Sequence, residues 1–482
     1  MQQAVAATVN GGSAGVVPTK APTYYEVPNE FRFVAYSTPP KANVGMASYI
    51  GNDDYNTVDN WITMEECGFN YTHPIYYEES DEDYERCFAN AERSGMKVFL
   101  PSSDYSVNPI GLAGVIKSSS KKGWTYQDAW NKIIAMENDI KARYDKFTKY
   151  DSFAGIYASD EPNATQYPAI AAAQDWFEIN YPEYEFYVNL LPPYANGDQL
   201  HGNLLGKEGY KDYEDHIERY SEIVNPYVMS MDHYPLVQAG VVDSFFFAQF
   251  VCAYNAKQLE KQFGWEVPYH VYLQTMAFGD RISLTDKTHW TWQAYNSLAF
   301  GATGLYVFNY WPLMSDRDGA DGTTGNLIGD GVVTRSGEKT DLYYWIQDNL
   351  TDLKAFEDTY MSYNWVNTAG VGTGALISKL ASSTYYDSGI SNIARVNANT
   401  DVLIGEFDSR TVAGRKGYLI SNATSIIGNT TTSASVTINF ASASRVKVHN
   451  IDGRTANEQA VSGNQLSLTI PAGAGFFVEV LA

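Results

Sequence analysis

The chain has 482 residues, room for two or three domains at ~100–200 residues each, and a core of that size needs no disulfide or metal staple. Its formal charge of −23 repels phosphate backbones and anionic membrane surfaces, which argues against a nucleic-acid partner. No apolar run approaches the ~20 residues of a membrane span.

Residues 1–28 are small and polar with Gly, Ser and Pro, and read as a flexible leader. They carry neither a basic n-region nor an apolar segment. The expectation is an exported chain (periplasmic, cell-surface or secreted) whose signal is absent from the sequence, with a cytoplasmic location left open.

From 29 to 362, apolar runs of strand length alternate with longer amphipathic stretches. The strands are predicted at 31–36, 69–74, 97–101, 153–159, 185–191, 227–231, 269–274 and 304–310. The helices are predicted at 59–66, 82–94, 126–149, 165–180, 212–223, 243–263, 287–300 and 340–360. Eight strand–helix units in ~330 residues fit an α/β fold of the (β/α)8 TIM-barrel type. A doubly wound sheet would open a helix with GxGxxG, and no helix here does. Over 363–482 the helical period stops and short alternating Val-, Thr- and Ser-rich runs follow, separated by turns such as Asp452-Gly453. That pattern predicts an all-β sandwich packed on the barrel.

A barrel of this type carries its chemistry where strands end. The fourth ends in Ser159-Asp160-Glu161-Pro162-Asn163. Two crowded acids raise at least one pKa, and a carboxyl kept protonated near neutrality is what a general acid requires. The competing role is a cap on the next helix. The fifth strand ends in Asn189 and the sixth in Asp232-His233-Tyr234-Pro235. The seventh ends in Gln274 and the eighth leads to Tyr310-Trp311. His73 and Tyr76 follow the second.

The three cysteines (Cys67, Cys87, Cys252) form no CxxC pair and read as buried thiols. Seven histidines show no HxxxH or HExxH spacing, and no GxxxxGK[ST] loop occurs. No metal or organic cofactor is expected. The acidic run 78–83 lacks the EF-hand glycine and reads as a helix start. Tyr, Phe and Trp number 37, 22 and 10, and aromatic faces beside acids and amides suit sugar rings, although they also fill cores.

The stretch 153–162 ending in Asp160-Glu161-Pro162 resembles the fourth-strand motif of barrel glycoside hydrolases. Asn189-Leu190-Leu191-Pro192, Asp232-His233-Tyr234-Pro235 and the run from Gln293 to Gly304 leading to Tyr310-Trp311 extend the likeness over about 30–360. Together they are similar to the β-galactosidase-like group of clan A, which joins a TIM barrel to C-terminal β domains. The resemblance implies glycosidic cleavage of an oligo- or polysaccharide with Glu161 as acid/base. The group has Asn where this chain has Asp160, and a nucleophilic Glu where Gln274 stands. Three accounts stay open. Asp232 is the second carboxylate; or the substrate assists, oriented by Gln274; or the protein binds glycan without cleaving it. The leading expectation is a hydrolase with Glu161 and Asp232 catalytic. Asp160, Asn189, His233, Tyr234, Gln274, Tyr310, Trp311, His73 and Tyr76 would then hold or stack the sugar, and carbohydrate is the expected partner. Oligomeric state is not legible at this level.

Overall fold

A computed structural model of the chain describes residues 27–42, 53–73, 80–101, 111–312, 329–451 and 455–481. Eight strands run parallel: β1 (Arg32–Tyr36), β2 (Tyr71–His73), β3 (Lys97–Pro101), β4 (Phe153–Asp160), β5 (Glu185–Asn189), β6 (Met229–Asp232), β7 (Tyr269–Gln274) and β8 (Ala302–Phe308). They pair in the order β5-β4-β3-β2-β1-β8-β7-β6. The two ends meet through a parallel bridge between Leu190 and Met231. The sheet is therefore a closed barrel.

Helices follow each strand and cover the outside. Several start where the sequence supplies a cap: the side chains of Thr57, Ser80, Thr125, Asp212 and Asp286 each accept a bond from a free N–H of the first turn. The acidic run enters helix Asp81–Ser94, with Asp81, Glu82 and Asp83 in its first turn, where they complement the helix dipole. The helix predicted at 126–149 is instead two, Tyr126–Ala135 and Glu137–Tyr144, and a further helix, Leu112–Lys122, precedes them. Glu137 and Asp139 open the second piece as a new N-terminus. Leu112–Lys122 hides from a sequence reading because it ends in Ser-Ser-Ser-Lys-Lys; burial of Leu112, Val115, Ile116 and Ser119 along one face holds it. β8 ends at Phe308, two residues before the predicted limit.

Side chains alternate along each strand between the helix layer and the lumen. Phe33 and Ala35 join the large outer core, while Val34 and Tyr36 point inward. The lumen is aromatic where branched aliphatics usually dominate such barrels. Tyr36, Tyr71, Phe99, Tyr157, Tyr187, Tyr272 and Tyr306 cluster there with His73 in ring contact. At its base Arg32 of β1 reaches across to Glu185 of β5, with Nη1 at 2.9 and 2.7 Å from the two carboxylate oxygens. Gly155 sits opposite Glu185 at φ +143, and a Cβ there would lie 2.0 Å from the Glu185 carbonyl oxygen, so only glycine lets β4 and β5 approach.

The C-terminal part is a sandwich of a six-stranded and a three-stranded antiparallel sheet. Val402, Ile404, Tyr418, Ile420, Val436, Ile438 and Val478 are among its own core. It docks on the barrel helix Lys287–Ala299 through Ser421 Oγ donating to Asn296 Oδ1 at 2.7 Å and Thr368 Oγ1 donating to the Ala299 carbonyl at 2.6 Å. Cys67, Cys87 and Cys252 are free and buried.

Candidate active site

The chemistry-bearing residues of β4 are placed by a β-bulge. Tyr157 pairs with Tyr187, but the register then shifts by one, so that Ser159 pairs with Val188 and Asp160 with Asn189. Strict alternation from Tyr157 would turn Ser159 inward and Asp160 outward. The extra residue reverses this, and the inward-facing Tyr157 donates its hydroxyl to Asp160 Oδ1 at 2.6 Å. Bulges re-aim side chains in this way. Glu161 follows at φ +47, a left-handed conformation uncommon outside glycine, and its N–H donates to the Asn189 carbonyl at 2.9 Å. That bond and Pro162 fix a sharp exit from the strand. The Glu161 residue reaches solvent at the rim, while its carboxyl is largely surrounded by protein.

Asp232, buried at the end of β6, completes a cluster of three carboxyls. Asn189 lies between: its Nδ2 is 3.4 Å from Oδ1 of Asp160 and 3.4 Å from Oδ1 of Asp232. Burial raises the Glu161 carboxyl to about 7, with the Asp160 charge adding to it. Burial also raises Asp160, against the donors Tyr157 and Asn189. Asp232 is pushed well up by burial and then by Glu161 and Asp160. Three acids this close cannot all ionise at neutral pH, so the cluster retains protons. Tyr157 and Asn189 donate to Asp160, and Asn189 to Asp232; among the described residues no hydrogen-bond donor reaches Glu161.

Tyr234 joins this group, its hydroxyl held protonated by burial and by the Asp232, Tyr194, Glu161 and Asp160 fields. Its ring packs 5.0 Å from Phe308 and 5.2 Å from Phe278. Three further residues of the rim went unnoticed in the sequence. Tyr194, 43% exposed, feels the Asp232 charge and accepts from the Tyr234 N–H at 3.4 Å. Arg281 stacks its guanidinium 4.8 Å from the Tyr194 ring centre and donates Nε to the Tyr234 carbonyl at 3.0 Å. Phe278 closes the same side. They come from loops, where no periodicity marks a residue as facing the mouth.

Other expected site residues lie elsewhere. Tyr310 and Trp311 are each only 1% exposed, packed edge-on against Phe69 and beside Tyr55 respectively, so they are core residues and form no stacking wall. The chain has left the strand period at Phe308, which turns both rings away from the lumen. Gln274 is fully buried: its amide bonds the Leu236 N–H and carbonyl and the Ile282 carbonyl, bracing two loops instead of reaching a ligand. His233 is buried, with Nε2 3.0 Å from Ser244 Oγ, and burial lowers its pKa to about 3. His73 is neutral for the same reason, also near 3, and its Nε2 meets the Tyr272 hydroxyl at 3.1 Å inside the lumen. Tyr76 lies outside the described residues. Among the described residues no group of three or more His, Cys, Asp or Glu is arranged to hold a metal ion.

Fold and site together define a (β/α)8-barrel protein with a carboxylate cluster at the C-terminal mouth and a β-sandwich behind it. No family model and no curated protein matches the chain. Among solved structures it is similar to a β-glucosidase from Thermotoga maritima in complex with deoxynojirimycin, at 11% identity over 67% of this chain and 98% of the other, with a TM-score of 0.39. A glucosidase from Croceicoccus marinus matches at 11% identity over 95% of this chain and 97% of its own, with a TM-score of 0.38. A β-galactosidase from the psychrophilic Marinomonas ef1 matches at 10% identity over 74% and 66%, also at 0.38. The chemical assignment rests on the site.

Proposed function

We propose that the protein is a glycoside hydrolase acting on an oligo- or polysaccharide. The observation that carries this reading is the cluster of Asp160, Glu161 and Asp232, in which Glu161 reaches the rim, has no hydrogen-bond donor among the described residues, and is raised to about 7 by the enclosure of its carboxyl and the Asp160 charge. Glu161 passes its proton to the glycosidic oxygen as the C–O bond breaks, and the leaving group departs as a neutral hydroxyl. Asp232 is the second carboxylate. It either attacks the anomeric carbon or takes a proton from the attacking water. Asp160 and Asn189 keep the cluster aligned, while Tyr234 and Tyr194 offer a hydroxyl and a ring to the sugar. Oxygen-rich, uncharged rings fit this lining of acids, amide and aromatics.

The test is hydrolysis of a broad glycoside and polysaccharide panel by the wild type and by Glu161→Gln, with products read by chromatography. Wild-type product is expected to fall at least ~10²-fold in the variant, the scale of general acid catalysis. The loss should shrink on substrates whose leaving group needs no proton. Equal turnover by both proteins removes Glu161 from the mechanism. The anomer formed first, read by proton NMR, tells attack by Asp232 from attack by water. The placement of Gln274, where the β-galactosidase-like group has its nucleophile, favours a second reading as a non-catalytic glycan binder. Binding without product in either protein would select it.

A further inference from the structure

The hydrogen bonds that reach the carboxylates continue below them. Ser230 of β6 lies 3.1 Å from Asn189 Oδ1, and its hydroxyl also meets the hydroxyl of Tyr187 on β5. Tyr187, Asn189 and Ser230 are all buried. The direction of this chain is fixed by its end. A carbonyl oxygen only accepts, so the single Ser230 proton goes to Asn189, and Tyr187 must donate to Ser230.

An amide in such a site has two orientations. With Oδ1 held by Ser230, Nδ2 turns to Asp160 and Asp232, 3.4 Å from one oxygen of each. In the reverse orientation the carbonyl lone pairs would face two carboxylates, which is tolerable only when those carboxyls carry protons. Burial alone favours the proton on Asp232, the most enclosed of the three acids. Amide N–H groups aimed at Asp160 and Asp232 oppose that preference, and Glu161 has no such donor among the described residues.

We infer that Ser230 is a positioning residue: by orienting the Asn189 amide it draws negative charge toward Asp160 and Asp232 and biases the protons the cluster retains toward Glu161, with Tyr187 orienting Ser230 in turn. This rests on the reading of Glu161 as the acid. Among the described residues, the other titratable groups facing the cluster are Tyr157 on β4, Tyr272 on β7, and Tyr194 and Tyr234 past the ends of β5 and β6. Arg281 stands behind Tyr194, its guanidinium 4.8 Å from the ring centre. Burial raises all four tyrosines above their ordinary value, so none exchanges a proton with the acids in the working range. His73 and His233, both near 3, are neutral there as well.

The test is Ser230→Ala beside Ser230→Thr and Tyr187→Phe, with folding checked by circular dichroism. Two readouts are taken: the pH profile of kcat/KM, and carboxyl titration by NMR on protein carrying 13C-labelled Asp and Glu. In Ser230→Ala the acid limb should rise and the alkaline limb fall by about half a unit to one unit each, narrowing the bell. Ser230→Thr, which keeps the hydroxyl, should restore the wild-type limbs. Tyr187→Phe should shift them the same way by less, and its ring shape guards against a folding defect. Loss of rate with unshifted limbs, or an unshifted carboxyl titration in a folded variant, overturns the inference. Should the wild type yield no product, the NMR titration alone decides. A shift then retains the role of Ser230 while the hydrolase reading falls; no shift removes the role.

Discussion

Replacing Glu185 by Gln tests how the base of the barrel is held. Arg32 and Glu185 are 1% and 0% exposed, and Nη1 lies 2.9 and 2.7 Å from the two carboxylate oxygens. Burial raises the Glu185 carboxyl, and the Arg32 charge and hydrogen bonds pull the other way. Gln keeps the shape but removes the negative charge, so the guanidinium stays buried without its carboxylate. Breaking one side of such a pair costs ~3–5 kcal/mol. With ~2.1 cal/mol/K of unfolding entropy per residue over roughly 330 barrel residues, that loss lowers the midpoint by ~4–7 °C. Calorimetry at neutral pH reads it, and added salt should change it little, because a buried pair is poorly screened. Replacing both residues by Met removes both charges together and should cost less than Glu185→Gln alone. A shift under ~1 °C for Glu185→Gln, or a double variant worse than the two single ones combined, refutes the reasoning.

Two further outcomes are expected. Burial raises the Glu178 carboxyl to about 8, so the folded chain keeps a proton there that the unfolded chain releases near 4.5; stability is lost as pH rises from 4.5 through 8. Glu178→Gln should therefore raise the urea midpoint at pH 9 relative to wild type and leave a much smaller difference at pH 4.5; equal differences at both would show that Glu178 is not the titrating group. Tyr194→Ala should raise KM about five- to tenfold with kcat nearly unchanged, since the exposed ring offers binding and no proton, and Tyr194→Phe should recover most of it. An effect confined to kcat would contradict that role.

The barrel was legible because each buried strand is a short apolar run and each covering helix carries the longer period, so the strand–helix order survives errors at the ends. The end of β4 was legible for the same reason: acids closing an apolar run stand out. The bulge after Tyr157 was not, because one extra residue leaves no mark on the pattern while reversing which side chain enters the lumen. Tyr310 and Trp311 misled because an aromatic pair past a strand end looks the same whether it faces solvent or core, and here the chain turns both rings into the core. Gln274 misled similarly, since an amide serves a backbone as well as a sugar. Many of the tyrosines that suggested sugar stacking line the lumen instead.

The closure of the barrel has a further consequence. β7 and β8 share six residue pairs, whereas β5 and β6 meet at one backbone bridge, with Leu190 N–H donating to the Ser230 carbonyl at 3.0 Å and Asp232 N–H to the Leu190 carbonyl at 3.3 Å. The side chains of Tyr187, Asn189, Ser230 and Asp232 fasten the rest of this seam. Local opening costs least where backbone bonds are fewest. Amide exchange should accordingly start at Leu190 and Asp232, and each such opening pulls Asp232 away from Asp160. The readiness of the barrel to breathe and the integrity of its acid cluster are thus one quantity, set along a single line between two strands.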